Sequence, residues 1–255
     1  MTLEQIKKEY DENIFYKNKL NVFKEYLQYE LLDSIFKQKG SENLSFIGGT
    51  AIRIVYGSNR FSEDLDFDNF GLNFRKFEEV LNKTIQDMNK KGFNIEFKFV
   101  EKGAYHCYIK FPELLAKNDL SQHIDEKLLI RIDAVSKKKE IATEINILNK
   151  FNVYKKIIVN PVAVILSQKM FAILNRKRTK GRDFYDVSYL LGLTQPDYTL
   201  LKKLGIHKNN LKKELLEKTA DLDFKKLSLD VMPFLINPND TLRITDFRNY
   251  IEKAL

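Results

Sequence analysis

The chain has 255 residues, with 43 Lys and Arg against 35 Asp and Glu and so a formal charge of +8. At about 150 residues per domain this allows one large domain or two small ones, and 44% hydrophobic beside 31% charged residues excludes wholesale disorder. No apolar run approaches the ~18 residues of a membrane span, Met1-Thr2-Leu3-Glu4-Gln5 lacks the features of a signal peptide, and the lone Cys107 excludes an internal disulfide framework. A cytoplasmic protein is expected. The pI near 9.2 favours polyanionic partners, although a biased composition yields the same value.

Residues 18–38 read as an amphipathic helix, because Phe23, Leu27, Leu31 and Ile35 recur every fourth position and Gly40 stands where a C-terminal cap would. A short strand follows at residues 44–47, stopped by Gly48-Gly49. A short helix is expected at 50–56, a strand at 65–70 and a helix at 73–91. Ile95, Phe97 and Phe99 then alternate with charged residues, the mark of a half-buried strand. Further strands are expected at 105–111, 128–135 and 155–159. Asn160-Pro161 reads as N-cap and first turn of a helix, and helices are expected at 161–178, 182–192, 197–204, 209–220 and 241–254. The pattern divides the chain into a mixed domain, 1–160, and a helical one, 161–255.

The chemistry concentrates in two stretches, Phe46-Ile47-Gly48-Gly49-Thr50 and Arg60-Phe61-Ser62-Glu63-Asp64-Leu65-Asp66-Phe67. Gly48-Gly49 is the only adjacent pair among ten glycines. At a strand end opening into a helix it lets the backbone approach a phosphate, or simply makes a tight turn. No Gly-Lys-Ser/Thr follows, and no Gly-x-Gly occurs, so neither a Walker loop nor a dinucleotide fingerprint is present. Asp64 and Asp66, two apart on a strand, share one face roughly 7 Å apart. They are either a solvated pair, with Asp68 beside them, or hard-oxygen ligands for Mg²⁺.

In the strand Leu128-Leu129-Ile130-Arg131-Ile132-Asp133-Ala134-Val135, Asp133 needs a partner. That partner is either Arg131, in a pair at a sheet edge, or a metal shared with Asp64 and Asp66. Three such carboxylates can hold two Mg²⁺ ions on a nucleoside triphosphate. Lys169, Arg176, Lys177, Arg178, Lys180 and Arg182 then bring six cations without an acid. They form either a solvated helix end or an anion-binding stretch. Asp183 stands at a helix start, where it could serve as a cap. His106, His123 and His207 show no ligand spacing, and Cys107 reads as a strand residue.

These residues together resemble the minimal nucleotidyltransferase fold of the DNA polymerase beta type. More narrowly, they resemble the AbiEii/AbiGii-type nucleotidyltransferase toxins of bacterial abortive-infection and toxin–antitoxin systems. The likeness rests on Gly48-Gly49-Thr50, on Arg60-x-Ser62-x-Asp64-x-Asp66-Phe67, on Arg131-Ile132-Asp133, and on Lys169 with Arg182-Asp183-x-x-Asp186, over residues 44–192. It implies an α+β fold, a mixed sheet flanked by helices and followed by a C-terminal helical bundle. It also implies metal binding by Asp64, Asp66 and Asp133, with two Mg²⁺ ions or Mn²⁺ in their place, and activation of the attacking hydroxyl by Asp133. Phosphate contacts would come from Gly48, Gly49, Thr50 and Ser62. Lys169 would reach the triphosphate, and Asp183 would orient Lys169 or another group of the site. Gln168 stands where the family often has Glu, which leaves the lysine's local partner open.

The activity so implied is transfer of a nucleoside monophosphate from an NTP to an acceptor hydroxyl. The expected acceptor is RNA, with tRNA 3′ ends foremost, and the expected partner a cognate antitoxin protein; no membrane is involved. Competing readings are a glycosyltransferase using Asp-x-Asp for a nucleotide sugar, a non-catalytic binding module, and transfer to a protein acceptor.

Overall fold

The computed structural model describes residues 2–123, 125–138 and 141–255; Met1, the first residue of the N-terminal stretch read above, lies outside them. The chain divides into two compact units, Met1–Gly57 with Phe61–Val159, and Ser58–Arg60 with Asn160–Leu255.

The first unit opens with α1 (Leu3–Lys7), α2 (Glu12–Lys17) and α3 (Lys19–Ile35). Then follow β1 (Leu44–Ile47), α4 (Gly48–Ile54), β2 (Leu65–Asn69), α5 (Phe74–Lys90), β3 (Glu96–Glu101), β4 (Tyr105–Phe111), α6 (Leu114–Lys117), β5 (Leu128–Ser136), β6 (Glu144–Lys150) and β7 (Val153–Val159). The strands form one mixed sheet in the order β3-β4-β5-β2-β1-β7-β6. β2 runs parallel to β5 and antiparallel to β1, and β1 runs parallel to β7.

The period-two alternation of strands sorts this sheet into two faces. Register pairs Phe46 with Phe67, Phe67 with Ala134, Leu65 with Ile132, and Cys107 with Ile132. All of these side chains are buried. α3 and α5 cover this face, with Phe36 against Phe67 and Phe77 against Phe99 and Tyr105. Each large apolar side chain so buried contributes about 1.5–3 kcal/mol before entropy is subtracted. The residues between them, Asp66, Asp133 and His106, therefore point to the opposite face.

A second buried cluster pins the N-terminal helices. Glu25 of α3 is 3% exposed. It accepts from Arg53 Nε at 2.7 Å, from Lys150 Nζ at 3.1 Å and from the Tyr10 hydroxyl. Burial alone would raise the Glu25 carboxyl, but the two cations hold it below its ordinary range.

Several expected elements differ in detail. Helix α4 begins at Gly48, earlier than Thr50. α3 ends at Ile35 with Phe36 as its cap; Gly40, at φ +103°, instead starts a short 3₁₀ turn. β3 is an edge strand and is mostly exposed, so Phe97 is 44% exposed. β6 was not expected at all. β6 and β7 join through Phe151 and Asn152, both at positive φ, which makes the tight turn that suits the strand twist. Phe151 tolerates the strained backbone because its ring is buried edge-on against Tyr26 and Tyr29.

The second unit is helical: α7 (Val162–Asn175), α8 (Gly181–Leu191), α9 (Tyr198–Lys203), α10 (Lys208–Lys218), α11 (Phe224–Leu229), α12 (Leu242–Thr245) and α13 (Phe247–Ala254). α8 lies at its centre and packs against α7, α11, α12 and α13. Phe184, Phe224 and Phe247 form its aromatic core, with ring centroids 4.8 to 6.1 Å apart. Gly181 opens α8 where a Cβ would fall 2.0 Å from the Leu227 carbonyl oxygen. The single helix expected at 241–254 is two, α12 and α13, which meet at Asp246. The cap of α7 is Pro161, not Asn160, because the Pro161 carbonyl takes the amides of Val164 and Ile165. No helix among the described residues is long and apolar enough to cross a membrane.

Candidate active site

In the first unit, the end of β1, the start of α4 and the strands β2, β5 and β4 bring together the residues that stood out in the sequence. Asp66 and Asp133 are direct partners across the parallel β2–β5 pair. Parallel partners project to the same side, so these two carboxylates face one another's neighbourhood although 67 positions separate them in the chain. Asp64 lies just before β2, two residues from Asp66. Ile47 of β1 pairs with Asp66, and the next residue, Gly48, lies directly over that carboxylate. A Cβ at Gly48 would lie 2.3 Å from Asp66 Oδ2, and its φ of +79° is the left-handed region that suits glycine.

Thr50 and Ser62, for which the resemblance implies phosphate contacts, also anchor the loop that carries Asp64. Thr50 is fully buried, and its hydroxyl donates to the Asp64 backbone carbonyl. It braces the loop that carries Asp64. The backbone carbonyls of Ser62 and Glu63 accept from Gln28 Nε2 at 2.9 and 3.1 Å, which ties the same loop to α3. Gly49 is buried in the first turn of α4, and no side chain caps that helix.

Arg131 and Asp133 do form the ion pair that sequence left open, but not at a sheet edge, since β5 lies inside the sheet between β4 and β2. Arg131 Nη2 donates to Asp64 Oδ2 at 2.9 Å. Its Nε lies 3.0 Å from Asp133 Oδ2, in charge contact but out of line for a hydrogen bond. Burial would lower the Arg131 guanidinium, yet Asp64, Asp133 and Asp66 outweigh it and hold the group above its ordinary value. His106 of β4 pairs with Asp133 in register, and its Nδ1 lies 2.7 Å from Asp133 Oδ1. A carboxylate oxygen only accepts, so Nδ1 is the donor. Nothing in the sequence marked His106, because only the pairing of β4 with β5 brings it there.

The three carboxylates suit a hard divalent cation chemically. Among the described residues, however, no three acidic, histidine or cysteine side chains already converge into an ion cage. The Arg131 guanidinium stands between Asp64 and Asp133 instead. Gly48, by lacking a Cβ, lets the backbone lie against Asp66, whose Oδ2 occupies the space that a side chain would take.

In the second unit Lys169 has two acidic partners. Its ammonium lies 2.7 Å from Asp186 Oδ2 and 3.2 Å from Asp183 Oδ1, and the side chain is only 13% exposed. Arg60 holds Asp186 through both Nε and Nη2 at 2.8 to 3.0 Å, and Arg176 pairs with Asp183. Asp183 is thus no helix cap, since Lys180 occupies that position and makes no side-chain cap. The six cations counted without an acid are partly neutralised by carboxylates one turn into α8. Burial would raise Asp186, but Arg60 and Lys169 hold it below its ordinary range. Burial would likewise lower Lys169, and Asp186 and Asp183 raise it instead. Gln168 left the lysine's partner open, and these two aspartates are the partners.

The whole arrangement has relatives. The family model described as the nucleotidyl transferase AbiEii toxin of a type IV toxin–antitoxin system matches residues 30–253. No curated protein sequence matches. Among solved structures, MenT4, a nucleotidyltransferase toxin from Mycobacterium tuberculosis H37Rv, aligns over 99% of this chain and 90% of its own with a TM-score of 0.62 at 15% identity. JHP933 from Helicobacter pylori aligns over 92% of this chain and 93% of its own, with a TM-score of 0.54 at 18% identity. At such identities these structures establish the fold, a mixed sheet flanked by helices with further helices toward the C-terminus. The family match spans most of the sequence, and the chain belongs to the AbiEii nucleotidyltransferase toxin family of type IV toxin–antitoxin systems.

Proposed function

We propose that this nucleotidyltransferase moves a nucleoside monophosphate from an NTP to a hydroxyl of RNA, the tRNA 3′ end foremost, with Mg²⁺ held by Asp64, Asp66 and Asp133. The observation that carries the proposal is the register of Asp66 with Asp133 on one face of adjacent strands. In the reaction the acceptor oxygen bonds to the α-phosphorus, the bond from that phosphorus to the β-phosphate oxygen breaks, and pyrophosphate leaves. Asp133, oriented through His106, takes the hydroxyl proton. Bound Mg²⁺, or Mn²⁺ in its place, would neutralise polyphosphate charge and lower the pKa of the attacking hydroxyl. At Gly48 the backbone lies against the Asp66 carboxylate, where only a residue without a Cβ fits, and this sets the β1–α4 turn beside the proposed metal ligands. Phosphate contacts by Thr50 and Ser62, and the roles of Lys169 toward the triphosphate and of Asp183 in orienting it, come from the family resemblance. A cognate antitoxin and a cytoplasmic setting follow from the family in the same way.

The test is a panel of the four α-labelled NTPs with tRNA, total RNA and protein as acceptors. Label on RNA, abolished by Asp66→Ala in a variant that still melts cooperatively, is the expected result. Label on protein alone would move the acceptor to a protein, and full activity in Asp66→Ala would move the site.

A further inference from the structure

The carboxylates assigned to the metal already hold a cation, and it belongs to the chain. We propose that Arg131 is an exchangeable counter-ion: its guanidinium and a divalent cation compete for Asp64 and Asp133, and metal enters as the side chain withdraws. This rests on the reading of Asp64, Asp66 and Asp133 as the metal site, and adds to it the group that the metal must displace.

Three features lead there. Arg131 lies two residues before Asp133 on β5, so the pleat puts both on the site face. The guanidinium bridges Asp64 and Asp133, at 2.9 and 3.0 Å, across the space between two prospective ligands. A second positive ion cannot share those oxygens at such distances without strong repulsion. Second, the hold on Asp133 is incomplete: Nε makes a charge contact but no hydrogen bond. A planar fork matched to a carboxylate donates through two nitrogens, and Arg131 does not do so to Asp133, so less is lost when it leaves. Third, the two oxygens of Asp133 are divided between partners, with Oδ1 facing His106 and Oδ2 facing Arg131. His106 therefore keeps Asp133 in place while Oδ2 becomes free for a cation. A triad left bare would be held apart by its own repulsion, and Arg131 supplies the neutralisation that keeps the face assembled without metal.

The experiment uses the full chain without nucleotide. Free Mn²⁺ is followed by electron paramagnetic resonance for wild type, Arg131→Gln, Arg131→Lys, and Asp66→Asn in the wild-type and Gln backgrounds. Arg131→Gln is expected to bind Mn²⁺ at least about tenfold tighter than wild type, as removal of a like charge a few ångströms away implies, with Arg131→Lys between them. Asp66→Asn is expected to abolish binding in both backgrounds. Because a Gln variant can fail to fold, displacement is also read in wild type: the Arg131 Nε–H resonance, assigned by its loss in Arg131→Lys, is expected to shift in step with Mg²⁺ occupancy. Equal Mn²⁺ affinity in wild type and Arg131→Gln, or an Nε–H resonance unmoved while Mg²⁺ binds, would overturn the proposal and leave the metal site standing. No binding by either protein, or binding that survives Asp66→Asn, would overturn the metal assignment itself and this inference with it.

Discussion

At Gly48 the backbone has φ +79°, and a Cβ placed there would lie 2.3 Å from Asp66 Oδ2. Alanine at this position meets two costs at once. The left-handed backbone costs roughly 1–2 kcal/mol for a residue with a Cβ, and the methyl must push the carboxylate aside. Gly71→Ala separates the two effects, because Gly71 has φ +118° with nothing within 4 Å of its Cβ position. Both variants are expected to lower the melting temperature. Only Gly48→Ala is expected to lose nucleotide transfer, by about 100-fold, the scale of a 1 Å misplacement of a reacting group. Equal activity in the two variants would show that Asp66 is not at the reacting centre. This residue-scale logic was half legible in the sequence. The Gly48-Gly49 pair, Asp64, Asp66 and Asp133 stand out from spacing and residue type. The contacts of Arg131 with Asp64 and of His106 with Asp133 do not, because they depend on which strands pair and in what register. Thr50 stood out in the sequence, but its bracing contact did not, since its hydroxyl bonds a backbone carbonyl 14 positions away.

At the scale of elements, ion pairs as well as apolar packing join α7 to α8. Arg60, Lys169, Asp183, Asp186 and Arg176 form one ion-pair network within the second unit, and Asp186 is fully buried in it. Removing one partner strands the others, at a cost of about 3–5 kcal/mol for a buried pair. The sign of the pH dependence follows from the directions of the shifts. Asp186 is held below its ordinary value, so its contribution is complete above the unfolded carboxyl pKa of about 4 and fades as pH falls through the lower folded value. Lys169 is raised, so its contribution is complete below the unfolded amine pKa of about 10.4 and fades as pH rises through the folded value. Urea unfolding of Asp186→Asn is expected to show lower stability at neutral pH and a shallower loss below pH 4 than wild type. An unchanged acid limb would remove Asp186 from the account. Elements also show where sequence patterns give out. Strands β1, β2, β4 and β5 and helix α5 were legible because one face of each is apolar at the proper period. β6 was not, because it is an edge strand with Ile145 71% exposed, and its turn uses Phe151-Asn152 where glycine would have announced a hairpin. Phe151→Ala is therefore expected to cost about 3–5 kcal/mol, by loss of the buried ring, measurable as a shift of the urea midpoint. A neutral result would mean that the buried ring contributes little to stability, because alanine keeps the Cβ and with it the strain of the left-handed backbone.

For the whole molecule the informative quantity is the formal charge of +8. Net charge says nothing about catalysis, but it governs encounter with a polyanion and the response of that encounter to salt. Some of the basic residues that stood out in the sequence are now committed elsewhere: Lys169 and Arg176 are neutralised by Asp183 and Asp186. Lys177 and Arg178, in the segment between α7 and α8, are exposed. With the exposed Lys180 they are members of that stretch open to a phosphate backbone, whereas Lys169 faces its two acidic partners. If the acceptor is RNA as proposed, the logarithm of affinity for labelled tRNA falls linearly with the logarithm of KCl concentration, by about 0.7 to 0.9 per phosphate neutralised. Charge reversal by Lys177→Glu with Arg178→Glu is expected to weaken tRNA binding and to reduce that slope by about 1 for each side chain, while the affinity for NTP stays as in wild type. Fluorescence anisotropy across a salt series measures the slope, and nucleotide titration supplies the control. A slope unchanged by the double reversal would take the acceptor away from this segment. A slope near zero in wild type would argue that the acceptor is not a polyanion, because neutralising a phosphate must release its counterions and salt must then oppose binding.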